Sequence, residues 1–213
     1  MVAKRLGIGF IGGGFISRFH IQSLIGVRDV DVHGVYSKTK TSSEETAALA
    51  RVTGVGEAKA YDSITDMVAN PDIDALWICA PNYTRMEVME EIVHAVESGK
   101  GKLIGVTCEK PLGRNVAEAK RMLELAQGAD LLDGYLENQV FAPSVTRGKE
   151  IVWARGASTT GPPFLARAAE EHSGPHMPWF WEGELQGGGV LNDMMCHSVE
   201  EARFMLTPPG ESR

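Results

Sequence analysis

Apolar and polar positions alternate between two rhythms along most of this chain. Leu6-Gly-Ile-Gly-Phe-Ile11 is a short, nearly unbroken apolar run, as expected of a strand buried on both faces. Gly12-Gly-Gly14 ends it, and Phe15 to Leu24 reads as a helix with Phe15, Ile16 and Phe19 on neighbouring turns. Val30 to Tyr36 is a second strand. Ser42 and Glu45 have capping-box spacing, which predicts a helix over Glu44 to Val52 closed by Gly54 and Gly56. Ala58 to Tyr61 is a weak third strand, and Ser63 with Asp66 opens a short helix that Asn70-Pro71 ends. Ala75 to Cys79 is a strongly apolar fourth strand. Arg85 to Glu97 carries a helical stripe of Met86, Val88, Met89, Ile92, Val93 and Val96. Leu103 to Thr107, a helix over Asn115 to Gln127, and Leu131 to Tyr135 complete the series.

Strands alternating with helices predict an α/β fold, a doubly wound parallel sheet of the Rossmann kind, with ligands at the carboxyl ends of its strands. After Leu136 the rhythm changes. The expected elements are a helix over Pro143 to Ala154, a strand over Phe164 to Glu171, a loop over His172 to Glu184, and a helix over Val190 to Leu206 behind Gly187-Gly-Gly189. Residues 1–136 are therefore assigned to a dinucleotide-binding domain and 137–213 to a partial α+β substrate domain.

Composition narrows the function classes. With 21 basic and 28 acidic residues the formal net charge is −7, which argues against a surface built to neutralise nucleic-acid phosphates. No apolar stretch approaches the ~20 residues of a membrane span. Lys4-Arg5 before Leu6 to Phe15 loosely mimics a secretory leader, but that run holds five glycines and leads into Arg18 and His20, so it reads as strand and turn. Cys79, Cys108 and Cys196 show no CxxC spacing, which favours buried thiols in a reducing, cytoplasmic setting over a disulfide framework.

Gly12-x-Gly14-x-x-Ser17 is a variant of the G-x-G-x-x-G turn between a strand and a helix. The first glycine permits the tight turn, and the second lets the backbone approach a pyrophosphate seated on the helix N-terminus. Ser17 is small but larger than the glycine usual at the third position. Gly12, Gly14, Phe15 and Ile16 are the expected contacts here. An acidic residue at the end of the second strand would bind a ribose 2′-hydroxyl; Tyr36-Ser-Lys-Thr-Lys40 offers none. Ser37 and Lys38 suit a 2′-phosphate, so the reading leans to NADP with NAD still open.

Glu109-Lys110-Pro111 falls at the carboxyl end of the fifth strand, where a lysine can hydrogen-bond or protonate a substrate oxygen. A surface salt bridge before a turn is the alternative. Asp193 and His197 are four apart on an expected helix and so share a face; one can hold a hydroxyl while the other moves its proton. A helix-start aspartate bonded to a structural histidine is the alternative. His172 and His176 are also four apart, but Pro175 breaks a helix there, and no metal site is expected.

Taken together, these stretches resemble the Gfo/Idh/MocA oxidoreductases. The resemblance rests on Gly7 to Gly14 with His20, Pro71-Asp-Ile-Asp-Ala75, Ala80-Pro81-Asn82, Glu109-Lys-Pro-Leu112, and Gly187 to Asp193 with His197, in the family's order. It implies a nucleotide-binding domain followed by a domain with a broad, mostly antiparallel sheet, which usually mediates dimerisation. It implies reversible oxidation of a sugar or polyol hydroxyl by NAD(P). Carried onto this chain, Lys110 polarises the reacting oxygen, Asp193 holds the substrate, and His197 is the general acid/base. Ala80, Pro81, Asn82, Cys108, Glu109 and Pro111 would lie along the cofactor.

Arg85 stands where the family often has a histidine, and Glu200 where an aspartate is common. Glu137-Asn138 suits either a substrate contact or a polar turn between domains. Trp179 and Trp181 suit either sugar stacking or core packing. Two rival functions share this site: a glycosidase-like enzyme using transient oxidation, and a non-catalytic sugar or nucleotide sensor. About 77 residues follow Leu136, too few for the family's broad sheet. The expectation is a front part of a longer enzyme or a pared-down variant, with an apolar face exposed from Phe164 to Glu171 and, as an isolated chain, nucleotide binding but poor turnover.

Overall fold

The computed structural model describes residues 4–212. The chain forms two compact units, Met1–Tyr135 and Leu136–Arg213.

In the first unit, β1 (Leu6–Ile11), α1 (Phe15–Ser23), β2 (Val30–Tyr36), α2 (Lys40–Val52), β3 (Lys59–Tyr61), α3 (Ile64–Ala69), β4 (Ala75–Ile78), α4 (Arg85–Glu97), β5 (Gly105–Glu109), α5 (Val116–Gly128) and β6 (Leu132–Leu136) follow one another. The strand order is β3-β2-β1-β4-β5-β6, the doubly wound arrangement expected. β1 pairs in parallel with β2 and with β4, so the chain reverses its winding between β1 and β4. That reversal opens the crevice where such sheets bind ligands.

Alternation along β1 explains both buried layers. Ile8 and Phe10 join Ile21, Val32, Val35, Ala47 and Ala50 on one face. On the other, Ile11 joins Leu76, Ile78, Met67, Met89 and Ile92. Gly9 points at this second layer, where an added Cβ would sit 2.5 Å from the Met67 Cε. Ser63 caps α3 by accepting the Asp66 N–H at 3.0 Å, as its spacing predicts. Asn115 caps α5 in the same way, accepting the Glu118 N–H at 3.0 Å.

Two local expectations differ in this unit. The Ser42–Glu45 capping box does not form: α2 begins at Lys40, Ser42 Oγ donates to the Gly13 carbonyl at 2.8 Å, and Glu45 pairs with Arg18 at 2.7 Å. A tertiary acceptor thus claims the hydroxyl that the spacing assigned to a cap. β5 lies two residues later than the apolar run suggested, because its ladder to β4 pairs Ala75 with Gly105 and Ile78 with Cys108. This shift puts Glu109 inside the strand and Lys110 just beyond it.

The second unit contains α6 (Pro143–Ile151), a π-helical turn (Val152–Gly156), α7 (Ala157–Thr160), α8 (Gly183–Gln186), α9 (Gly189–Asp193) and α10 (Met195–Leu206). The strand expected over Phe164 to Glu171 is absent, and that segment is irregular. A strand needs a ladder partner for its backbone groups, and among the described residues this unit offers none. Phe164 is 93% and Leu165 63% exposed, so the expected apolar exposure is present at the start of the segment. The helix expected over Val190 to Leu206 breaks at Met194 into α9 and α10. No helix among the described residues is long and apolar enough to cross a membrane.

Candidate functional site

The glycine turn lies at the carboxyl end of β1. Gly12 has φ +112°, a conformation open to glycine, and an added Cβ would sit 2.7 Å from the Cys79 carbonyl oxygen. Gly14, by contrast, faces open space, with nothing within 4 Å of the position a Cβ would take. Gly14 is also the N-cap of α1, and no side chain caps that helix. The first N–H groups of α1 and the clear approach at Gly14 therefore fit a pyrophosphate. Phe15 is exposed and Ile16 half-buried beside them.

The loop owes its shape to hydroxyls. Ser17, fully buried, donates to the Gly12 carbonyl at 2.6 Å, so its side chain fits where a glycine is usual. Ser42 and Thr46 both donate to the Gly13 carbonyl, at 2.8 and 3.0 Å. Standing 29 and 33 positions from Gly13, neither side chain carries a local signal of this role. At the end of β2, Ser37 is half-buried and Lys38 exposed, while Lys40 is drawn to Asp62 at 3.0 Å. The Asp62 carboxylate raises the Lys40 pKa.

Ala80, Pro81 and Asn82 follow β4, with Ala80 and Asn82 buried. Glu109 at the end of β5 is 3% exposed; its Oε1 lies 2.7 Å from His20 Nε2, and its Oε2 accepts the Lys110 N–H at 3.0 Å. His20 thereby ties α1 to β5 within the first unit. Arg85 turns inward under the loops after β4 and β5. Its guanidinium donates to the carbonyls of Ala80 (2.9 Å), Glu109 (2.7 Å), Lys110 (3.3 Å) and Pro111. A residue marked in the sequence as a departure is thus the tether of two loops on the ligand-binding edge.

Cys79 and Cys108 are buried as expected. Desolvation pushes both thiols up, Cys108 to about 11, so neither is a nucleophile at neutral pH. Cys196 is half-buried.

In the second unit, Gln186 is 1% exposed and pins the triglycine segment: its Oε1 accepts the Gly188 N–H at 2.7 Å, and its Nε2 donates to the Gly189 carbonyl at 3.0 Å. Asp193 ends α9, and His197 sits in the first turn of α10, so the two do not share one regular helix. The His197 N–H bonds to the Met194 carbonyl at 3.1 Å. Its imidazole turns to Glu137, with Nδ1 2.7 and 2.6 Å from Oε1 and Oε2. Both residues are 6% exposed. The Gln139 N–H holds Glu137 Oε1 at 2.8 Å. A carboxylate on Nδ1 fixes the ring orientation and favours the tautomer in which Nε2 is the acceptor.

His172 Nδ1 accepts the Gly174 N–H at 2.9 Å and its Nε2 lies 3.0 Å from the Met194 sulfur. Trp179 stacks on Phe180 with centroids 3.8 Å apart, while Trp181 is exposed.

A glycine turn at the winding reversal of a doubly wound sheet is the arrangement of a dinucleotide-binding fold. Residues 6–132 match the Gfo/Idh/MocA family, described as an oxidoreductase family with an NAD-binding Rossmann fold, and the chain belongs to that family. It is 30% identical over 207 residues to 1,5-anhydro-D-fructose reductase of Ensifer adhaerens, covering 96% of this chain and 58% of the relative. It is 26% identical over 200 residues to myo-inositol 2-dehydrogenase of Thermotoga maritima, covering 93% and 54%. Among solved structures it is similar to GenD2 from gentamicin A biosynthesis in complex with NAD, with a TM-score of 0.81 and 25% identity over 98% of this chain and 56% of that one. The chain thus spans a little over half the length of these relatives.

Proposed function

We propose that this chain carries the cofactor-binding and catalytic elements of an NAD(P)-dependent dehydrogenase or reductase acting on a sugar or polyol CH–OH group. The observation that carries the reading is Lys110 at the carboxyl end of β5, on the edge that holds the glycine turn. The relatives named above are a reductase and a dehydrogenase, which favours net hydride transfer over transient-oxidation glycosidase chemistry or a sensor role.

Nicotinamide, when bound, supplies the hydride donor or acceptor. Gly12, Gly14, Phe15 and Ile16 receive the pyrophosphate at the N-terminus of α1. Ala80, Pro81, Asn82 and Glu109 lie along the cofactor. Ser37 and Lys38 receive the 2′ end, and with no carboxylate after β2 a 2′-phosphate is the better fit, which favours NADP. Lys110 donates a hydrogen bond to the reacting oxygen and polarises it. Asp193 holds a substrate hydroxyl. His197 accepts the hydroxyl proton at Nε2, and the Glu137 carboxylate stabilises the imidazolium that forms. The setting proposed is cytoplasmic, and the assembly proposed is a homo-oligomer if a full C-terminal sheet exists.

Two measurements test this. NADPH and NADH fluorescence titrations should show binding with NADPH preferred. A panel of sugars and polyols should reduce NAD(P)+ with an absorbance rise that Lys110→Ala removes. Full turnover in Lys110→Ala would sink the assignment.

A further inference from the structure

Three kinds of metal ligand meet in the second unit. The Glu137 carboxylate, the Cys196 thiol and the His197 imidazole each present one ligand atom, and these atoms all lie within 4.8 Å of one another. Glu137 and His197 are buried and Cys196 is half-buried. Neighbours on a helix diverge by about 100°, so the convergence of Cys196 and His197 on one carboxylate is not a default of helix geometry. It occurs in the first turn of α10, just after the break at Met194.

We propose that Glu137, Cys196 and His197 form a binding site for a divalent cation of the zinc class. Thiolate sulfur, imidazole nitrogen and carboxylate oxygen are the three donor types zinc takes, and their combined charge of −2 matches the ion. Three protein ligands leave a fourth tetrahedral position open, the composition of an accessible zinc centre rather than a closed structural one. The Gln139 N–H on Glu137 Oε1 supplies the outer support that orients such a ligand. Zinc bonds of about 2.0–2.1 Å set tetrahedral N···O separations of about 3.3 Å. The present contacts of 2.6 and 2.7 Å therefore widen by about 0.6 Å to admit the ion, within reach of side-chain rotation.

A consequence follows that rests on the proposed role of His197. Ligation at Nδ1 moves the ring proton to Nε2, the atom assigned to accept the substrate proton. The metal-loaded form is then the inactive one, and zinc is an inhibitor.

The test uses the untagged full chain and cobalt(II), which reports ligand type by absorbance. One equivalent should bind, with a thiolate-to-cobalt charge-transfer band and the visible bands of a four-coordinate ion, and zinc should displace it. Cys79 and Cys108 are buried thiols of the other unit, so the band reports Cys196. Cys196→Ser should abolish the band and weaken binding at least 10-fold. Glu137→Gln should keep the band and weaken binding about 10-fold. Circular dichroism of both variants checks that they fold. No charge-transfer band in the wild type, or an equal band in Cys196→Ser, overturns the site. These readouts need no turnover, so their failure leaves the dehydrogenase reading standing, and failure of nucleotide binding leaves this site standing. Turnover unaffected by saturating zinc would overturn the inhibitory consequence.

Discussion

Arg85→Met removes the tether beneath the loops after β4 and β5 while keeping most of the buried side-chain volume. Arg85 is 5% exposed, and its guanidinium serves four backbone carbonyls, of Ala80, Glu109, Lys110 and Pro111. A buried carbonyl deprived of its donor costs about 1–3 kcal/mol. Against that, methionine is spared the several kcal/mol needed to desolvate a guanidinium. The net loss is about 3 kcal/mol, which for a chain of this size lowers the melting temperature by roughly 6–12 °C. Arg85→Lys keeps the charge but loses the fork, and should fall between wild type and Arg85→Met. Far-ultraviolet circular dichroism melts at fixed pH and salt give the comparison. Nucleotide affinity should fall in parallel, because the freed carbonyls of Ala80 and Lys110 belong to the loops proposed to line the cofactor. A melting temperature for Arg85→Met within about 1 °C of wild type would refute the account.

Glu137→Gln replaces a charge-assisted bond to His197 with a neutral one and should lower kcat about 10- to 100-fold with KM little changed; the nitrogen-15 shifts of His197 give a readout free of turnover, and an unchanged ring tautomer together with unchanged kcat would contradict its role. Lys38→Glu should weaken NADPH by at least 10-fold while sparing NADH, measured by fluorescence titration; equal losses for both would remove Lys38 from the 2′ end. Burial alone would raise the Asp74 pKa, but the bonds from Lys4 Nζ and the Gly7 N–H more than offset it and hold the carboxyl below its ordinary value. Its contribution to stability is thus present above the unfolded-state value near 4 and is lost as pH falls through the lower folded-state value. Asp74→Asn should flatten the acid limb of a urea-midpoint profile, and an unchanged slope below about pH 4 would count against the linkage.

Much of the first unit was legible because its signals are local. A buried parallel strand must read as an apolar run, and a backbone that passes close to Cys79 must carry glycine at position 12. Glu109-Lys110 could be placed at a strand end from the same run, even though the β4 ladder carries β5 two residues further than the run predicted. The Ser63 cap was legible because donor and acceptor are three residues apart.

Features that depend on a partner far along the chain leave no local signal. Ser42 caps nothing because Gly13, 29 positions earlier, offers it a carbonyl. Phe164 to Glu171 has strand composition, yet a strand exists only where a neighbour takes its backbone hydrogen bonds. Asp193 and His197 have helical spacing, but the break at Met194 divides them, and His197 answers to Glu137, 60 positions away. The sequence by itself determined the winding of the sheet, the glycine approach and the place of Lys110, since each follows from steric and hydrophobic rules acting over a few residues. Only the tertiary structure decided which polar groups hold them: Ser42 and Thr46 on Gly13, Arg85 under two loops, Glu137 on His197. Those choices turn on which donor the fold brings within reach of an unsatisfied acceptor in a buried place, and chain spacing carries no record of that.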